Sequence, residues 1–250
     1  MTDPVVGVIC ALRSEARHLG RTLAGQAGLE SLPDGTLLAV TGTGLAAAAA
    51  GAERLLAAGA TSFVSWGMAG GLDPQLRAGD LLLPAEIASP DGQVLASDAR
   101  WRAQLAASLS ALRPLTSGRL VSVRAAVPTA AAKAVLWRAG ALAVDMESSA
   151  VAALCERHRL PFIAIRTIID DAATELPGAL ATATRADGGV AVWPVLTALL
   201  RAPLQLGALL HLARAYAAAN RTLAGVARRG ALTPLTTAPA AHPMPSAGVR

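Results

Sequence analysis

The chain has 250 residues, 53% of them hydrophobic, which is enough to bury the core of a single large domain. Its net charge of +5 comes from 21 arginines and one lysine, Lys133. The arginines are scattered and only 3% of the residues are aromatic, which argues against a nucleic-acid-binding protein. Cys10 and Cys155 lie in apolar runs, so we expect reduced thiols in a cytoplasmic protein, without a Cys/His metal site.

Short apolar runs alternate with alanine-rich helical stretches along the first 171 residues. The runs predicted as strands are Val5–Cys10, Leu37–Thr41, Phe63–Trp66, Leu81–Pro84, Leu120–Val123, Leu142–Val144 and Phe162–Ile169. This alternation predicts an α/β fold, a three-layer sandwich with helices on both faces of one mixed sheet. We expect residues 1–231 to form one domain. Residues 232–250, rich in Ala, Pro, Thr and Ser without apolar periodicity, are predicted to be a disordered tail.

Two acidic residues follow neighbouring predicted strands. Glu147 comes directly after the apolar run Ala141–Met146 and begins a helical stretch, and Asp170 ends the run Pro161–Ile169. Ligands of open α/β sheets bind beyond the carboxyl ends of the strands, so both carboxylates are candidate site residues. The alternative is structural: Glu147 stabilises a helix N-terminus and Asp170 caps a turn.

Four segments, in this order, carry a resemblance to a known family. They are VVGVICALRSEA (Val5–Ala16), VTGTGLAAAAAGAERLL (Val40–Leu56), SWGMAGGLDPQLRAGDLLLP (Ser65–Pro84) and the region Val144–Asp171. Together they resemble the nucleoside phosphorylase and nucleosidase superfamily, which includes purine nucleoside phosphorylases and methylthioadenosine/S-adenosylhomocysteine nucleosidases. The resemblance implies a central mixed, partly closed β-sheet, cleavage of a purine N-glycosidic bond without a cofactor, and assembly into homodimers or larger homo-oligomers.

Breaking this bond passes through an oxocarbenium-like state, so a site must protonate the base, hold the ribose and bring a nucleophile to the anomeric carbon. Asp170 aligns with the general acid of the family, which protonates N7 of adenine. Ile169 precedes it, where the family often has a serine that orients the acid. Asp171 is the alternative acid.

Glu147 aligns with the family's carboxylate that accepts hydrogen bonds from the ribose 2′- and 3′-hydroxyls, and Met146 with the side chain that packs on the sugar. Asp145 precedes them, and because neighbouring side chains of a strand alternate, we expect it to point to the opposite side and to be structural.

Glu15 lies where the hydrolytic members carry the glutamate that activates water. Phosphorolytic members need cations near this place to bind inorganic phosphate as a co-substrate, and Arg13 and Arg17 are close enough in sequence to serve. Both interpretations remain open, beside a third in which Glu15 lies on an exposed helix between surface arginines.

Two segments resemble the family's glycine turns, whose backbone amides approach the nucleophile and the ribosyl group. The segments are Thr41–Gly44 and Gly67–Gly71, and their implied substrate-binding residues are Thr43, Gly44, Met68, Gly70 and Gly71. Met68 replaces a small hydroxyl residue often found there. The family's adenine-binding segment matches Ala126 and Val127, which lack the usual stacking aromatic ring, so stacking on adenine is weaker or comes from elsewhere.

Residues 174–230 form a long apolar extension. On a helical wheel Arg214, Arg221 and Arg228 lie on one side, and the other side carries Leu209, Leu212, Tyr216, Leu223 and Val226. This pattern is typical of a helix that covers the core and exposes an arginine face to solvent. It is also typical of a helix that lines an apolar channel or lies on a membrane surface.

The extension and the DMES and IIDD segments are similar to the hopanoid-associated phosphorylases, a branch of the same superfamily. That similarity implies release of adenine from adenosylhopane, giving ribosylhopane or its phosphorylated form, with peripheral membrane contact. The alternatives are a methylthioadenosine/S-adenosylhomocysteine nucleosidase acting on soluble substrates and a non-catalytic nucleoside-binding protein.

Overall fold

The computed structural model describes residues 4–20, 28–175, 206–229 and 232. Ten strands lie within these ranges: β1 Val6–Cys10, β2 Leu29–Ser31, β3 Leu37–Val40, β4 Ser62–Gly71, β5 Leu81–Leu82, β6 Glu86–Ala88, β7 Val94–Ala96, β8 Arg119–Ser122, β9 Ala141–Asp145 and β10 Phe162–Asp170. The α-helices of the same ranges are α1 Arg13–Ala16, α2 Leu45–Ala57, α3 Ala99–Ser108, α4 Ala130–Arg138, α5 Ser148–His158 and α6 Leu206–Arg228.

The strands form one mixed sheet with the order β2-β3-β1-β4-β9-β8-β6-β7, and β10 pairs with β4 and β5. Strand β1 is parallel to β3 and β4, whereas β9 is antiparallel to the end of β4. The expected mixed α/β sandwich is confirmed. The implied partial closure is not, because the end strands β2 and β7 do not pair with each other and the sheet stays open.

Each predicted apolar run overlaps a strand, but β4 continues where a glycine turn was expected. Gly67 pairs with Arg166 of β10, and Gly70 and Gly71 pair with Val144 and Ala143 of β9. Hydrogen bonding to neighbouring strands keeps this glycine-rich segment extended through Gly71. The strands β2, β6 and β7, which were not predicted, have three residues each, too few for the period-two pattern to stand out.

Helices cover both faces of the sheet. Phe63 packs with residues of α2 and α5, such as Leu55 and Val151, while the next residue, Val64, belongs to a second core cluster with Trp101 of α3. Neighbouring residues of one strand thus reach opposite layers, as the pleat of a strand requires.

Helix α6 belongs to this second layer. Leu223 and Val226 are fully buried in it, whereas Arg214, Arg221 and Arg228 are exposed. The described part of α6 therefore covers the core with a solvated arginine face. No helix of the described residues has both the length and the hydropathy needed to cross a membrane.

Parts of the C-terminal predictions lie outside the described residues, namely 176–205 of the extension and 233–250 of the tail. Leu232, where the tail was predicted to begin, is buried in the core cluster that contains Leu223 and Val226.

Candidate active site

A cavity of about 220 Å³ opens beyond the carboxyl ends of β1, β8, β9 and β10. It is lined by Ala11, Leu12, Glu15, Thr43, Met68, Ala69, Gly70, Val123, Ala126, Val127, Lys133, Val144, Asp145, Met146, Glu147, Ile169, Asp170 and Tyr216. The structure therefore brings together the three predicted carboxylates and most of the predicted substrate-binding residues. Gly44, Gly71, Arg13 and Arg17 do not line the cavity.

Glu15 is held by backbone amides. Helix α1 follows β1 after two residues, and the Glu15 carboxylate accepts hydrogen bonds from the amides of Met68 at 2.9 Å and Leu12 at 3.1 Å. The side chain is buried, so the interpretation of Glu15 as an exposed residue between arginines is wrong. Burial raises the pKa of Glu15, an effect that the positive charge of Arg166 and these amides oppose.

Gly67 makes room for this carboxylate. A Cβ atom at Gly67 would lie 2.7 Å from Glu15 Oε1 and 2.9 Å from its Cδ, closer than real Cβ contacts allow. The glycine in this strand therefore permits the backbone of β4 to approach the acid, whose Oε1 also accepts the amide of the next residue, Met68.

Glu147 is also held by backbone amides, those of Gly44 at 2.9 Å and Met146 at 3.2 Å. The Gly44 amide thus positions the carboxylate, although Gly44 does not border the cavity. Burial, with a further contribution from the negative charge of Asp145, raises the pKa of Glu147 to about 7, and Arg166 opposes this. Glu147 is the N-cap residue of α5, but its side chain makes no capping hydrogen bond there, and its carboxylate accepts the amides of Gly44 and Met146 instead.

Asp145 makes the hydrogen bond to the start of α5 instead, but it also borders the cavity and so does not point away from the site as expected. Its carboxylate accepts the amide of Ser148 at 3.2 Å, at the start of α5, and the hydroxyl of Ser122 at 2.6 Å. Arg166 of β10 pairs with it at 2.8 Å and also donates to Ser65 and Ser148. Arg166 is not among the predicted site residues, although an arginine within an apolar strand indicates a buried charge partner.

A register shift in β10 sets the position of Asp170. Ile168 pairs with Ala69 and Asp170 with Gly70, so Ile169, which borders the cavity, is the extra residue of a β-bulge. A Cβ at Gly70 would lie 3.3 Å from Asp170 Oδ1, and one at Gly71 2.9 Å from the Asp170 carbonyl oxygen. The two glycines thus provide space for the acid; Gly70 borders the cavity, and Gly71 packs behind Asp170.

The side chain of Lys133 contacts the Asp170 carboxyl. Its Nζ pairs with Asp170 Oδ2 and donates to the carbonyl oxygens of Asp171 at 2.7 Å and Thr174 at 3.0 Å. Burial raises the pKa of Asp170, while the Lys133 ammonium opposes that rise. Lys133 is not among the predicted site residues. The sequence does mark it in one way: Lys133 is the single lysine of the chain, beside 21 arginines.

A model of the phosphorylase superfamily matches residues 14–200, which is most of the chain. The chain belongs to this superfamily. Membership confirms the resemblance drawn from the four sequence segments and supports the expected reaction class, cleavage of an N-glycosidic bond. The match is to the superfamily as a whole and does not distinguish its hopanoid-associated branch.

Solved structures share the superfamily fold at low sequence identity. Futalosine hydrolase of Helicobacter pylori matches with a TM-score of 0.65 and 16% identity over 92% of this chain and 97% of that one. The methylthioadenosine/S-adenosylhomocysteine nucleosidase of Neisseria meningitidis, in complex with methylthio-immucillin-A, matches with 0.63 and 19% over the same shares. S-adenosylhomocysteine nucleosidase of Streptococcus pyogenes, with 5-methylthiotubericidin, matches with 0.59 and 20% over 69% and 86%.

Three other predicted residues of this phosphorylase-superfamily chain lie away from the cavity. Asp171 accepts the amide of Thr174 at 2.9 Å and its hydroxyl at 2.7 Å, and the hydroxyl bond, as the largest effect, lowers the pKa of Asp171. It caps the turn after β10. Arg17 is exposed and donates to Asn220 of α6 at 3.1 Å, and Arg13 is exposed as well.

The remaining walls are largely apolar. Val123, Ala126 and Val127 follow β8, and Met68 and Ile169 line the cavity from β4 and β10. Tyr216, the single tyrosine of the chain, contributes the one aromatic ring among the described lining residues. It comes from α6, so the C-terminal extension borders the site.

Proposed function

We propose that this protein hydrolyses the N-glycosidic bond of an adenine nucleoside. The observation that carries the proposal is the meeting of three buried carboxyl groups, those of Glu15, Glu147 and Asp170, at one apolar cavity. Each group has different partners, which matches the three tasks of the reaction: activating water, holding the ribose and protonating the base.

Asp170 is the general acid in this proposal and gives its proton to N7 of the base as the bond breaks. The electron pair of the C–N bond leaves with the base. Glu147 accepts hydrogen bonds from the ribose hydroxyls and favours the positive charge that develops on the sugar. Glu15 takes a proton from the attacking water, whose oxygen bonds to the anomeric carbon. Return of this proton through solvent restores Asp170.

The cations near the cavity favour water over phosphate as the nucleophile. Among the described lining residues Lys133 is the one cation, and its ammonium already has three acceptors. Arg17 bonds to Asn220, and Arg166 pairs with Asp145. A phosphate dianion needs charge-assisted donors, whereas a water molecule needs a base such as Glu15.

The apolar walls support a substrate whose ribose carries a hydrophobic 5′ substituent, for which adenosylhopane is the proposed compound. Met68 and Ile169 stand where the family often has hydroxyl residues, and Tyr216 brings the C-terminal extension to the cavity. The exposed arginines of α6 support a further part of the proposal, contact with an anionic membrane surface that holds such a lipid. Assembly into homo-oligomers is carried over from the resemblance.

Methylthioadenosine and S-adenosylhomocysteine form the second candidate class of substrates. Glu15 favours it, since a glutamate at this place belongs to the hydrolytic members that the sequence resembles. A small thioether group is also compatible with a cavity of about 220 Å³.

The test is release of free adenine from adenosylhopane in detergent, run beside methylthioadenosine, with phosphate present and omitted. We expect release from adenosylhopane in either buffer, and a rate about 10²–10⁴-fold lower with Asp170→Asn. Release that depends on phosphate would replace hydrolysis by phosphorolysis, and release from methylthioadenosine alone would assign the protein to the soluble nucleosidases. Release from no adenine nucleoside would overturn the proposal.

A further inference from the structure

Lys133 is a buried lysine, and removing its ammonium from water costs free energy. It lies on α4 with 1% of its surface exposed, and its Nζ reaches Asp170 Oδ2 and the carbonyl oxygens of Asp171 and Thr174. An ammonium has three donors, and all three have acceptors here. Lys133 therefore has no donor left for substrate, and whatever it contributes to the reaction passes through Asp170.

The two carbonyl oxygens fix the ammonium independently of the acid. They belong to the segment that leaves β10, at 2.7 Å and 3.0 Å from Nζ, so this segment and α4 are joined at the lysine. The Asp170 carboxyl is thereby held by Oδ2, and its Oδ1 lies beside Gly70, a residue of the cavity wall. One oxygen is anchored, and the other is available to a base in the cavity.

We infer that Lys133 is a positioning residue that orients Asp170 and stabilises the carboxylate it becomes when its proton passes to the leaving base. The inference rests on the proposed function. In the step, the proton on Oδ1 moves to the base nitrogen, the C–N bonding pair goes to the base, and the negative charge left on Asp170 faces the ammonium. In a dry site this attraction is strong, so it accelerates a step in which that charge develops.

Lys133→Met, which removes the charge and keeps an unbranched chain, tests the inference. We expect kcat for adenine release to fall about 10²-fold, the lower range for general acid catalysis, while KM changes little. The limb of the pH profile on which Asp170 loses its proton should move upward by about one unit or more, because the opposite charge is gone. Arg157→Met is the control, since it removes an exposed cation paired with Glu53.

A riboside whose leaving group departs without protonation, 4-nitrophenyl riboside, separates positioning from structure. Lys133→Met should cleave it at the wild-type rate, since no proton has to be delivered. An equal loss on both substrates, or an unmoved pH profile, would overturn the inference. Lys133→Gln keeps a neutral donor in this space and is measured in the same way if the methionine variant does not fold.

Failure of the inference is distinguishable from failure of the proposed function. A wild-type protein that releases no adenine overturns the function alone. In that case titration of the Asp170 carboxyl by isotope-edited infrared spectroscopy, in wild type and Lys133→Met, decides the role of the lysine. An upward shift of this titration in the variant supports the charge coupling, and an unchanged titration overturns it.

Discussion

The two ends of the cavity hold a buried carboxyl group in opposite ways. At one end Glu15 accepts hydrogen bonds from the backbone amides of Leu12 and Met68 and forms no ion pair with any residue that the structure describes. At the other, Asp170 is paired with the ammonium of Lys133. Burial raises the pKa of both groups. The amides and the ammonium both favour the ionised carboxyl and so oppose the effect of burial. The difference between the two ends is that the ammonium carries a full positive charge, which faces the negative charge left when Asp170 gives up its proton.

Removing either carboxyl should have the largest effect. Asp170→Asn and Glu15→Gln are each expected to lower the rate of adenine release by about 10²–10⁴-fold, the range of general acid–base catalysis. Thermal unfolding followed by circular dichroism checks that the fold is kept. Activity close to wild type in either variant removes that residue from the mechanism.

A substrate whose leaving group needs no proton distinguishes the role of Asp170 from that of Glu15. Asp170→Asn should cleave 4-nitrophenyl riboside at a rate close to wild type, because this leaving group needs no proton from the acid. Glu15→Gln should remain slow on the same substrate, because water must still be activated. Initial rates of nitrophenolate release measure both. The reverse order would exchange the roles of the two ends.

Gly67→Ala should disable the Glu15 end without touching the acid. The new methyl group would overlap the Glu15 carboxylate and displace it. We expect a loss of about 10²-fold in kcat. Gly59→Ala is the control: its backbone is left-handed, with φ of 97°, and nothing lies near the added Cβ, so it adds strain away from the site. Full activity in Gly67→Ala would mean that the position of Glu15 does not matter.

Glu147→Gln should weaken the hydrogen bonds that the ribose hydroxyls donate to this side chain. Loss of one charge-assisted contact that strengthens in the transition state costs on the order of 2–4 kcal/mol, read from kcat/KM. A matched change of a carboxylate outside the cavity is Glu53→Gln, which affects an exposed pair with Arg157. Equal kcat/KM values in the two variants would argue against a ribose contact by Glu147.

The smallest expected effect concerns stability against pH. The pKa of Glu147 is raised from its ordinary 4.5 to about 7 in the folded protein, so between these values the folded state binds more protons than the unfolded one. The free energy of unfolding should therefore fall as pH rises from about 4.5 to 7. Glu147→Gln should reduce this slope but not abolish it, since Glu15 and Asp170 are shifted in the same direction. Urea unfolding at several pH values measures it, and an unchanged slope contradicts the assignment to Glu147.

The sequence predicted the parts of this site that local patterns determine. Apolar runs ending in acid placed Asp170 and the turn before Glu147 at the ends of strands, and these ends meet because the sheet aligns them. The resemblance added Glu15, whose burial no local pattern indicates: RSEA reads equally well as an exposed helix.

What could not be predicted depends on partners distant in the chain. Lys133 meets Asp170 across 37 residues, and Arg166 meets Asp145 across 21. Such pairs follow from the packing of α4 on the sheet and from the position of β10 within it, and they leave no periodicity in the sequence. The continuation of β4 through Gly71 was missed for the same reason, because its neighbours and not its own glycines keep it extended.

Because the single lysine is buried, chemical labelling of its amine can report local opening of the structure around it. An amine-reactive reagent meets no exposed lysine side chain on the folded molecule, since Lys133 is 1% exposed and every other long basic side chain is an arginine. Covalent labelling of Lys133 therefore requires the contact between α4 and the end of β10 to break. The labelling rate, followed by mass spectrometry with and without a nucleoside, measures how often the acid end of the cavity opens and whether substrate closes it.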